Sequence, residues 1–137
     1  MKIIVDAFGG DNAPLEIIKG CAEATSELDI DIMLTGDEKE IRRVAQENQI
    51  SLNRIEIADA PDVITMEDSA GDIMKSKNNS SMALGLKNAG GRRGGTHFSL
   101  RESSGALVVG ATMIVKRIKG VKRVAFAPSY AQGQGLF

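Results

Sequence analysis

Two acids and two adjacent glycines follow the first apolar run of the chain. Asp6 ends the run at residues 3–5, and Gly9, Gly10 and Asp11 come shortly after it. In an open α/β sheet, ligands bind beyond the carboxyl ends of the strands, and adjacent glycines let the backbone come close to a bound group. This spacing therefore predicts a substrate-binding loop directly after the first strand.

The same residues also fit a simpler interpretation, which is a tight turn from a strand into a helix. Asp11 or Asn12 would then cap the helix that Pro14 opens, since proline suits the first helical turn. The spacing alone does not separate a substrate loop from a capped turn.

A second group of polar residues precedes another helical pattern. Lys75 and Lys77 come just before Ser80 and Ser81, and either serine can cap the helix that follows. Free N–H groups and the helix dipole favour an anion at such a helix start. The alternative is a solvated basic loop with a serine cap. A third start, at Ser104 and Gly105, opens a strongly apolar helix over residues 107–118, with Gly120 as its C-cap.

The elements that must position these residues follow from the apolar periodicity. Residues 2–6, 30–36 and 54–58 predict three strands, and residues 14–27 and the stretch after Asp37 predict two helices between them. Asp37 is the expected cap of the second helix, whose inner face carries Ile41, Val44 and Ala45. The order βαβαβ with short connections is typical of a doubly wound, largely parallel sheet.

The rest of the chain is less regular. A short helix is expected to begin at residues 66–68. Residues 88–104 show neither period, although the architecture requires a strand there. A further strand is expected at residues 124–127, and residues 129–137 have no pattern.

Composition excludes several classes of protein. The 137 residues suit one domain, and a net charge of −1 without a basic patch argues against a nucleic-acid partner. Cys21, the only cysteine, forms no internal disulfide and suits a reducing cytoplasm. No signal peptide precedes Lys2, and the apolar residues 106–115 are too short to span a bilayer. A cytoplasmic protein is expected.

Three blocks of the sequence together resemble the bacterial phosphate acyltransferase family of phospholipid synthesis. The first covers residues 5–11 with Pro14, and the second covers residues 77–82. The third runs from Ser104 to Arg117, with residues 127–128 beyond it. The order and spacing of the blocks over nearly the whole chain make the resemblance specific.

The resemblance implies a three-layer α/β/α fold with a Rossmann-like sheet, related to isocitrate dehydrogenase and phosphotransacetylase. Members of the family are more than twice this length, so the chain corresponds to the N-terminal part of one acyltransferase domain. They transfer a fatty acyl group from acyl carrier protein to orthophosphate, and a membrane acyltransferase consumes the acyl phosphate. The implied partners are acyl carrier protein, orthophosphate and a second subunit, with possible peripheral membrane association and no cofactor or metal.

The irregular stretches have an explanation within this resemblance. At the first, the family carries a strand and turn reading Gly-Asp-Ala-Phe-x-Ser-Ala-Gly-Asn. Codons permitted for residues 94–102 spell most of it when they are read one nucleotide earlier. Codons for residues 129–136, read one nucleotide later, approach the family's sequence there. We therefore hypothesise that residues 90–103 and 129–137 are out of frame, and we assign no chemistry to His97.

The resemblance also suggests roles for the polar residues. Phosphate attack on a thioester requires an anion pocket, an oriented oxygen and stabilisation of the tetrahedral oxyanion, and main-chain N–H groups supply the first and third. Asp6 and Lys77 are the candidate catalytic residues. Lys77 would offset phosphate charge, and Asp6 would position the nucleophile, take a proton, or instead orient a loop. The candidate substrate and phosphate contacts are Gly9, Gly10, Asp11, Ser80, Ser81, Ser104 and Gly105.

Three other interpretations remain open at this point. One is a phosphotransacetylase-like enzyme that uses coenzyme A thioesters. Another is a non-catalytic nucleotide-binding α/β module, although Gly-x-Gly-x-x-Gly is absent after the first strand. The last is an inactive fragment, because a disrupted central strand would expose hydrogen-bonding edges and apolar helix faces.

Overall fold

A parallel sheet of four strands forms the centre of the protein. The computed structural model describes residues 2–10, 12–65, 67–91, 97–99, 104–116, 118–121, 131–132 and 135–136. The strands are β1 (Lys2–Asp6), β2 (Asp31–Gly36), β3 (Ile55–Asp59) and β4 (His97–Ser99), and they lie in the order β3-β2-β1-β4. The predicted doubly wound, parallel α/β fold is confirmed.

Helices cover both faces of this sheet. α1 (Leu15–Glu27) and α2 (Glu38–Glu47) link the first three strands, and right-handed crossovers in one direction place them on the same face. α3 (Ser81–Gly91) belongs to the connection that runs back to β4, and it packs against β1 and β2 from the other face. The strand order reverses between β1 and β4, which makes their carboxyl ends the switch point of the sheet.

The first hydrophobic core fills the space between the sheet and the first two helices. Ile18 of α1, Leu34 of β2 and Ile41 of α2 are completely buried in it. Strand β2 is buried on both faces, because Met33 and Thr35 are also buried on the side opposite Leu34. This double burial explains why β2 is almost continuously apolar rather than alternating.

The caps predicted for α1 and α2 have different outcomes. Asp37 caps α2 as expected, because its carboxylate accepts the amides of Lys39 at 2.9 Å and Glu40 at 3.1 Å. Asn12 does not cap α1: the residue before the helix is Pro14, which makes no side-chain cap hydrogen bond. The Asn12 carbonyl instead accepts the amide of Glu16 at 3.3 Å, which satisfies the helix start through the backbone.

A second, smaller core lies under α3. The predicted short helix is found as a 3₁₀ turn over Ala70–Met74, slightly later than residues 66–68, because Ser69 and Asp72 form a capping box at its start. Ile73 of this turn is buried against Leu86 of α3 and Ala106.

The strand that the architecture requires is present as β4, whose residues 97–99 pair with residues 3–5 of β1. The apolar helix that follows is shorter than expected. α4 spans Ser104–Gly110 and continues as a π-helical turn over Ala111–Val115. The Thr112 hydroxyl donates to the Val108 carbonyl at 2.7 Å, and such bonds bend helices.

The predicted Gly120 C-cap is wrong, because Gly120 lies in a separate turn closed by the Val121 amide and the Ile118 carbonyl. The strand expected at residues 124–127 lies outside the described residues. Within the final stretch, β5 (Ala131–Gln132) and β6 (Gly135–Leu136) pair antiparallel. Across the described ranges, no helix is long and apolar enough to cross a membrane.

Candidate functional site

The loop after β1 is held by its own first residue and by the neighbouring strand. Asp6 is 6% exposed, and its carboxylate accepts the amide of Phe8 at 3.0 Å. The Ala7 amide donates to the Thr35 carbonyl at 2.9 Å, which extends the pairing of β1 with β2 by one residue. Asp6 therefore fixes the direction in which the chain leaves the sheet.

The two glycines of this loop are half-buried and lie at the switch point. Gly10 has a φ of +124°, a conformation that side chains disfavour and that explains the glycine at this position. The Gly10 carbonyl accepts the Ala13 amide at 3.2 Å, so the turn closes before α1 begins. The position of this loop at the carboxyl edge fits the substrate-loop interpretation, and its closed turn also fits the tight-turn interpretation. Asp11 lies outside the described residues.

The start of α3 carries both predicted serines, and both are buried. Ser80 is the cap: its hydroxyl accepts the Ala83 amide at 3.3 Å, and its carbonyl accepts the Leu84 amide at 2.9 Å. The Ser81 amide donates to the Asp62 carbonyl at 3.0 Å. This pairing attaches the helix start to the segment that leaves β3.

The Ser81 hydroxyl is an exception in this otherwise satisfied helix start. Ser81 is 1% exposed, and its Oγ has no hydrogen-bond partner within the described part of the chain. A buried hydroxyl without a partner is destabilising, so its presence requires an explanation such as a ligand or a bound water.

Lys77 reaches into its own loop. Its ammonium donates to the Val63 carbonyl at 3.1 Å and lies 3.9 Å from the carboxylate of Asp68. Its amide donates to the Asp72 carbonyl at 2.8 Å. Lys77 thus braces residues 63–77 just ahead of α3, while a lysine ammonium still carries two further N–H donors.

Asp68 was not identified from the sequence as part of this arrangement. Its carboxylate accepts the amide of Thr65 at 2.8 Å and the hydroxyl of Thr65 at 3.0 Å. These hydrogen bonds, and then the nearby Lys77 ammonium, lower the pKa of Asp68 below its ordinary value. The sequence signal was the Thr65-to-Asp68 spacing, which permits a local side-chain turn.

The third predicted helix start, at Ser104 and Gly105, belongs to α4. Gly105 lies in the first turn of α4, which packs against the 3₁₀ turn and α3. A Cβ at Gly105 would lie 3.5 Å from the Cβ of Ala70, an ordinary contact distance. Ser104 is the first residue of α4, and α4 is only seven residues long.

Three parallel strands bring the first two groups to one edge of the sheet. Asp6 ends β1 there, and Asp59 ends β3 at the same edge, where its carboxylate accepts the Glu38 amide at 3.0 Å. The bridge between Asp62 and Ser80 places the start of α3 three residues beyond β3. The β1 loop and the α3 start therefore share the carboxyl edge, where ligands of open α/β sheets bind.

The same edge offers hydroxyl and amide donors. Among the described residues, no group of three or more His, Cys, Asp or Glu is placed to hold a metal ion. Donors of this kind suit an anionic or carbonyl-bearing ligand.

Comparison with known proteins supports a common family. The family model described as "Fatty acid synthesis protein" matches residues 1–136. The phosphate acyltransferase of Acetivibrio thermocellus is 44% identical over 140 residues, which cover 99% of this chain and 41% of that protein. The phosphate acyltransferase of Clostridium novyi is 39% identical over 138 residues, covering 100% of this chain and 41% of the relative.

A third relative gives a similar match. The phosphate acyltransferase of Dictyoglomus thermophilum is 38% identical over 127 residues, covering 93% of this chain and 38% of the relative. The chain thus spans about two-fifths of the length of the curated relatives it matches. With a family model that matches residues 1–136, this chain belongs to the fatty acid synthesis protein family.

Proposed function

We propose that the chain carries part of the active site of a phosphate acyltransferase, which transfers an acyl group from a thioester of acyl carrier protein to orthophosphate in phospholipid synthesis. The names of the relatives support this activity. The observation that carries the proposal is the position of Gly9 and Gly10, at the switch point and on the same edge as the α3 start.

The proposed reaction needs no covalent enzyme intermediate. An oxygen of hydrogenphosphate attacks the thioester carbonyl carbon and forms a tetrahedral oxyanion. The carbon–sulfur bond then breaks, the proton of hydrogenphosphate passes to the leaving sulfur, and the products are an acyl phosphate and a free thiol. Backbone N–H groups of the Gly9–Gly10 loop are the proposed donors to the oxyanion.

The phosphate is proposed to bind at the start of α3. The buried Ser81 hydroxyl supports this assignment, because it has no hydrogen-bond partner among the described residues and a phosphate oxygen would supply one. The helix dipole favours a negative charge there. Lys77 adds a positive charge beside the site while its ammonium braces the loop through Val63.

Asp6 is proposed to act as a positioning residue. Its carboxylate is 6% exposed and holds the Phe8 amide, so it sets the geometry of the loop that contains Gly9 and Gly10. A second carboxylate role, as a proton acceptor beside phosphate, would place two negative charges together and is disfavoured. Ser104 and Gly105 remain proposed contacts to the substrate.

Orthophosphate binding by the purified chain tests the proposed site without requiring turnover. In ³¹P NMR titrations, Ser81→Ala and Lys77→Ala are expected to weaken phosphate binding at least several-fold. Lys87→Ala is the matched control, because Lys87 is an exposed lysine on α3 whose ammonium donates to the Asn78 carbonyl. Since the Ser81 hydroxyl has no hydrogen-bond partner within the described ranges, Ser81→Ala should fold at least as stably as the parent. Unchanged binding in both variants would remove α3 from the site.

The donor is tested in a separate assay. Acyl phosphate formation is measured with palmitoyl-acyl carrier protein and with palmitoyl-coenzyme A, each with and without orthophosphate. Preference for the carrier protein supports the proposal, and preference for coenzyme A supports the phosphotransacetylase-like alternative. Titration with ATP tests the nucleotide-binding alternative.

The reading-frame hypothesis for residues 90–103 and 129–137 is also kept as a proposal. The absence of either apolar period over residues 88–104 supports it. Sequencing of the genomic locus tests it, because a single inserted or deleted base must restore the family's sequence. If the parent chain neither binds phosphate nor forms acyl phosphate and the locus requires such a correction, the inactive-fragment interpretation is supported.

We further propose a cytoplasmic location, a homodimer and peripheral membrane contact. Met113, Ile118 and Val121 expose large apolar side chains, which supports a surface that contacts another molecule. Sedimentation velocity tests the dimer, and co-sedimentation with vesicles of phosphatidylglycerol tests membrane contact.

A further inference from the structure

An apolar groove runs beside α1 from the carboxyl edge toward the opposite edge of the sheet. Its volume is about 460 Å³, which lies in the range of small-molecule sites. Ile17, Cys21 and Ala24 line it from the helix, and Ile3 and Val5 line it from β1. Glu16, in the first turn of α1, also lines the groove, and the walls beyond that turn are mainly aliphatic.

The mouth of this groove has a different character. Asp6, Gly9, Gly10 and Asn12 line the end of the groove that lies at the switch point. At the other end the groove passes Leu28, which follows the last turn of α1. A molecule that fills the groove would hold a polar head against the glycine loop and an apolar tail along the helix.

We propose that this groove holds the acyl chain of the thioester substrate, and that Gly20 sets the length of chain that fits. The inference rests on the proposed acyl transfer, because it places the reacting carbonyl at the Gly9–Gly10 loop. An acyl thioester has the polar head and unbranched apolar tail that the mouth and walls require.

Gly20 borders the groove at an exposed position of α1. It lines the groove, and a Cβ built at this position would have no atom within 4 Å. Gly20 lies five residues into α1, about 8 Å along the helix axis from Leu15. A larger side chain at this position would fill the groove partway along without displacing any neighbour.

Chain-length dependence of binding provides the direct test. We use amide analogues of butanoyl- and decanoyl-pantetheine, which cannot transfer their acyl groups, and titrate them calorimetrically into the purified chain. If the tail is buried, each added methylene should tighten binding by about fourfold at most. Gly20→Leu is expected to weaken binding of the decanoyl analogue at least tenfold and to leave the butanoyl analogue unchanged.

Gly20→Ala is the matched control. Alanine adds one methyl group and favours the helix, so this variant should fold and bind both analogues as the parent does. Equal affinity for the two analogues, or an undiminished decanoyl affinity in Gly20→Leu, would overturn the proposal. No binding of either analogue would overturn it as well.

Cys21 reports on the same groove by an independent measurement. Burial raises the pKa of its thiol to about 11, so alkylation by iodoacetamide should be slow at pH 8. The decanoyl analogue should slow alkylation further in the parent but not in Gly20→Leu. Failure of acyl transfer with persistent length-dependent binding would overturn the proposed function alone. Intact phosphate binding and turnover without length dependence would overturn the groove assignment alone.

Discussion

The first region (residues 2–59) and the second region (residues 60–121) bury their large apolar side chains to different degrees. In the first region, Leu28 is the only large apolar side chain among the described residues that is exposed. The second region exposes six within its described part: Met74, Val108, Met113, Val115, Ile118 and Val121. The first region therefore forms its core from local βαβ units, while the apolar faces of the second lack cover within the described chain.

Polar interactions show the same contrast. On α2, the Arg43 guanidinium contacts Glu40 at 2.6 Å and Glu47 at 2.7 Å, and Asp37 caps the helix. In the second region, Asp68 and Lys77 brace a loop, and on α3 the Asn88 side chain donates to the Leu84 carbonyl at 2.9 Å. Among the described residues, the ion pairs of α2 therefore lie along a helix surface, whereas the pair of the second region spans a loop.

The largest expected effect tests the core of the first region. Leu34→Ala removes a completely buried side chain from the central strand and should lower the free energy of unfolding by about 2–5 kcal/mol. Ile118→Ala, at a position that is 78% exposed, should change it by less than about 0.5 kcal/mol. Urea unfolding followed by circular dichroism measures both. Equal effects would contradict the contrast between the regions.

A smaller effect tests the packing of the second core. In Gly110→Ala the new methyl group would meet the Cδ1 of Leu86 and would lie 2.9 Å from the Cδ1 of Ile73. Overpacking of this kind should cost about 1–3 kcal/mol. Gly105→Ala is the control on the same helix, because its methyl group makes only an ordinary contact with Ala70. If thermal unfolding finds both variants alike, the second core is looser than described.

The smallest expected effect is a local dependence on pH. The pKa of Asp68 is lower in the folded protein than the value of about 3.9 in unfolded chains. Its contribution to stability is therefore complete above pH about 4 and is lost as the pH falls through the folded pKa. The protection factor of the Thr65 amide, which is its intrinsic exchange rate divided by its observed exchange rate, should fall over that range.

Asp68→Asn separates this titration from general acid unfolding. Its side-chain oxygen can still accept the Thr65 amide but does not titrate, so the acid-dependent fall in the Thr65 protection factor should disappear. The same fall in the variant would show that another group controls the loop.

The elements of the first region were predictable because each one is encoded locally. The apolar run at residues 2–6 and the Asp37 cap need no distant partner to be recognised. β4 was different: it has no period of its own, and its strand is defined by pairing with β1 about ninety residues earlier. At the transition from α4 into the π-helical turn, the Thr112 hydroxyl donates to the Val108 carbonyl, and the apolar periodicity does not report this side-chain contact.

The candidate site was predictable in residue type but not in contacts. The sequence indicated serines at a helix start, and the structure shows that Ser80 caps the helix while the Ser81 hydroxyl is buried without a partner within the described chain. It indicated a lysine, but the Val63 carbonyl that Lys77 contacts lies fourteen residues earlier. Contacts across a loop follow from its folded path, which composition and spacing do not determine.

The ring of Phe8 packs against the backbone of Gly36, where any Cβ would overlap it. This contact fastens the β1 loop to the end of β2, in addition to the hydrogen bond between Asp6 and Phe8. The loop has therefore lost much of its conformational entropy before a ligand arrives, so a ligand at the proposed Gly9–Gly10 site would not have to order it. A substitution at Gly36 would consequently weaken binding at that proposed site from a neighbouring strand, without removing any group proposed to touch the ligand.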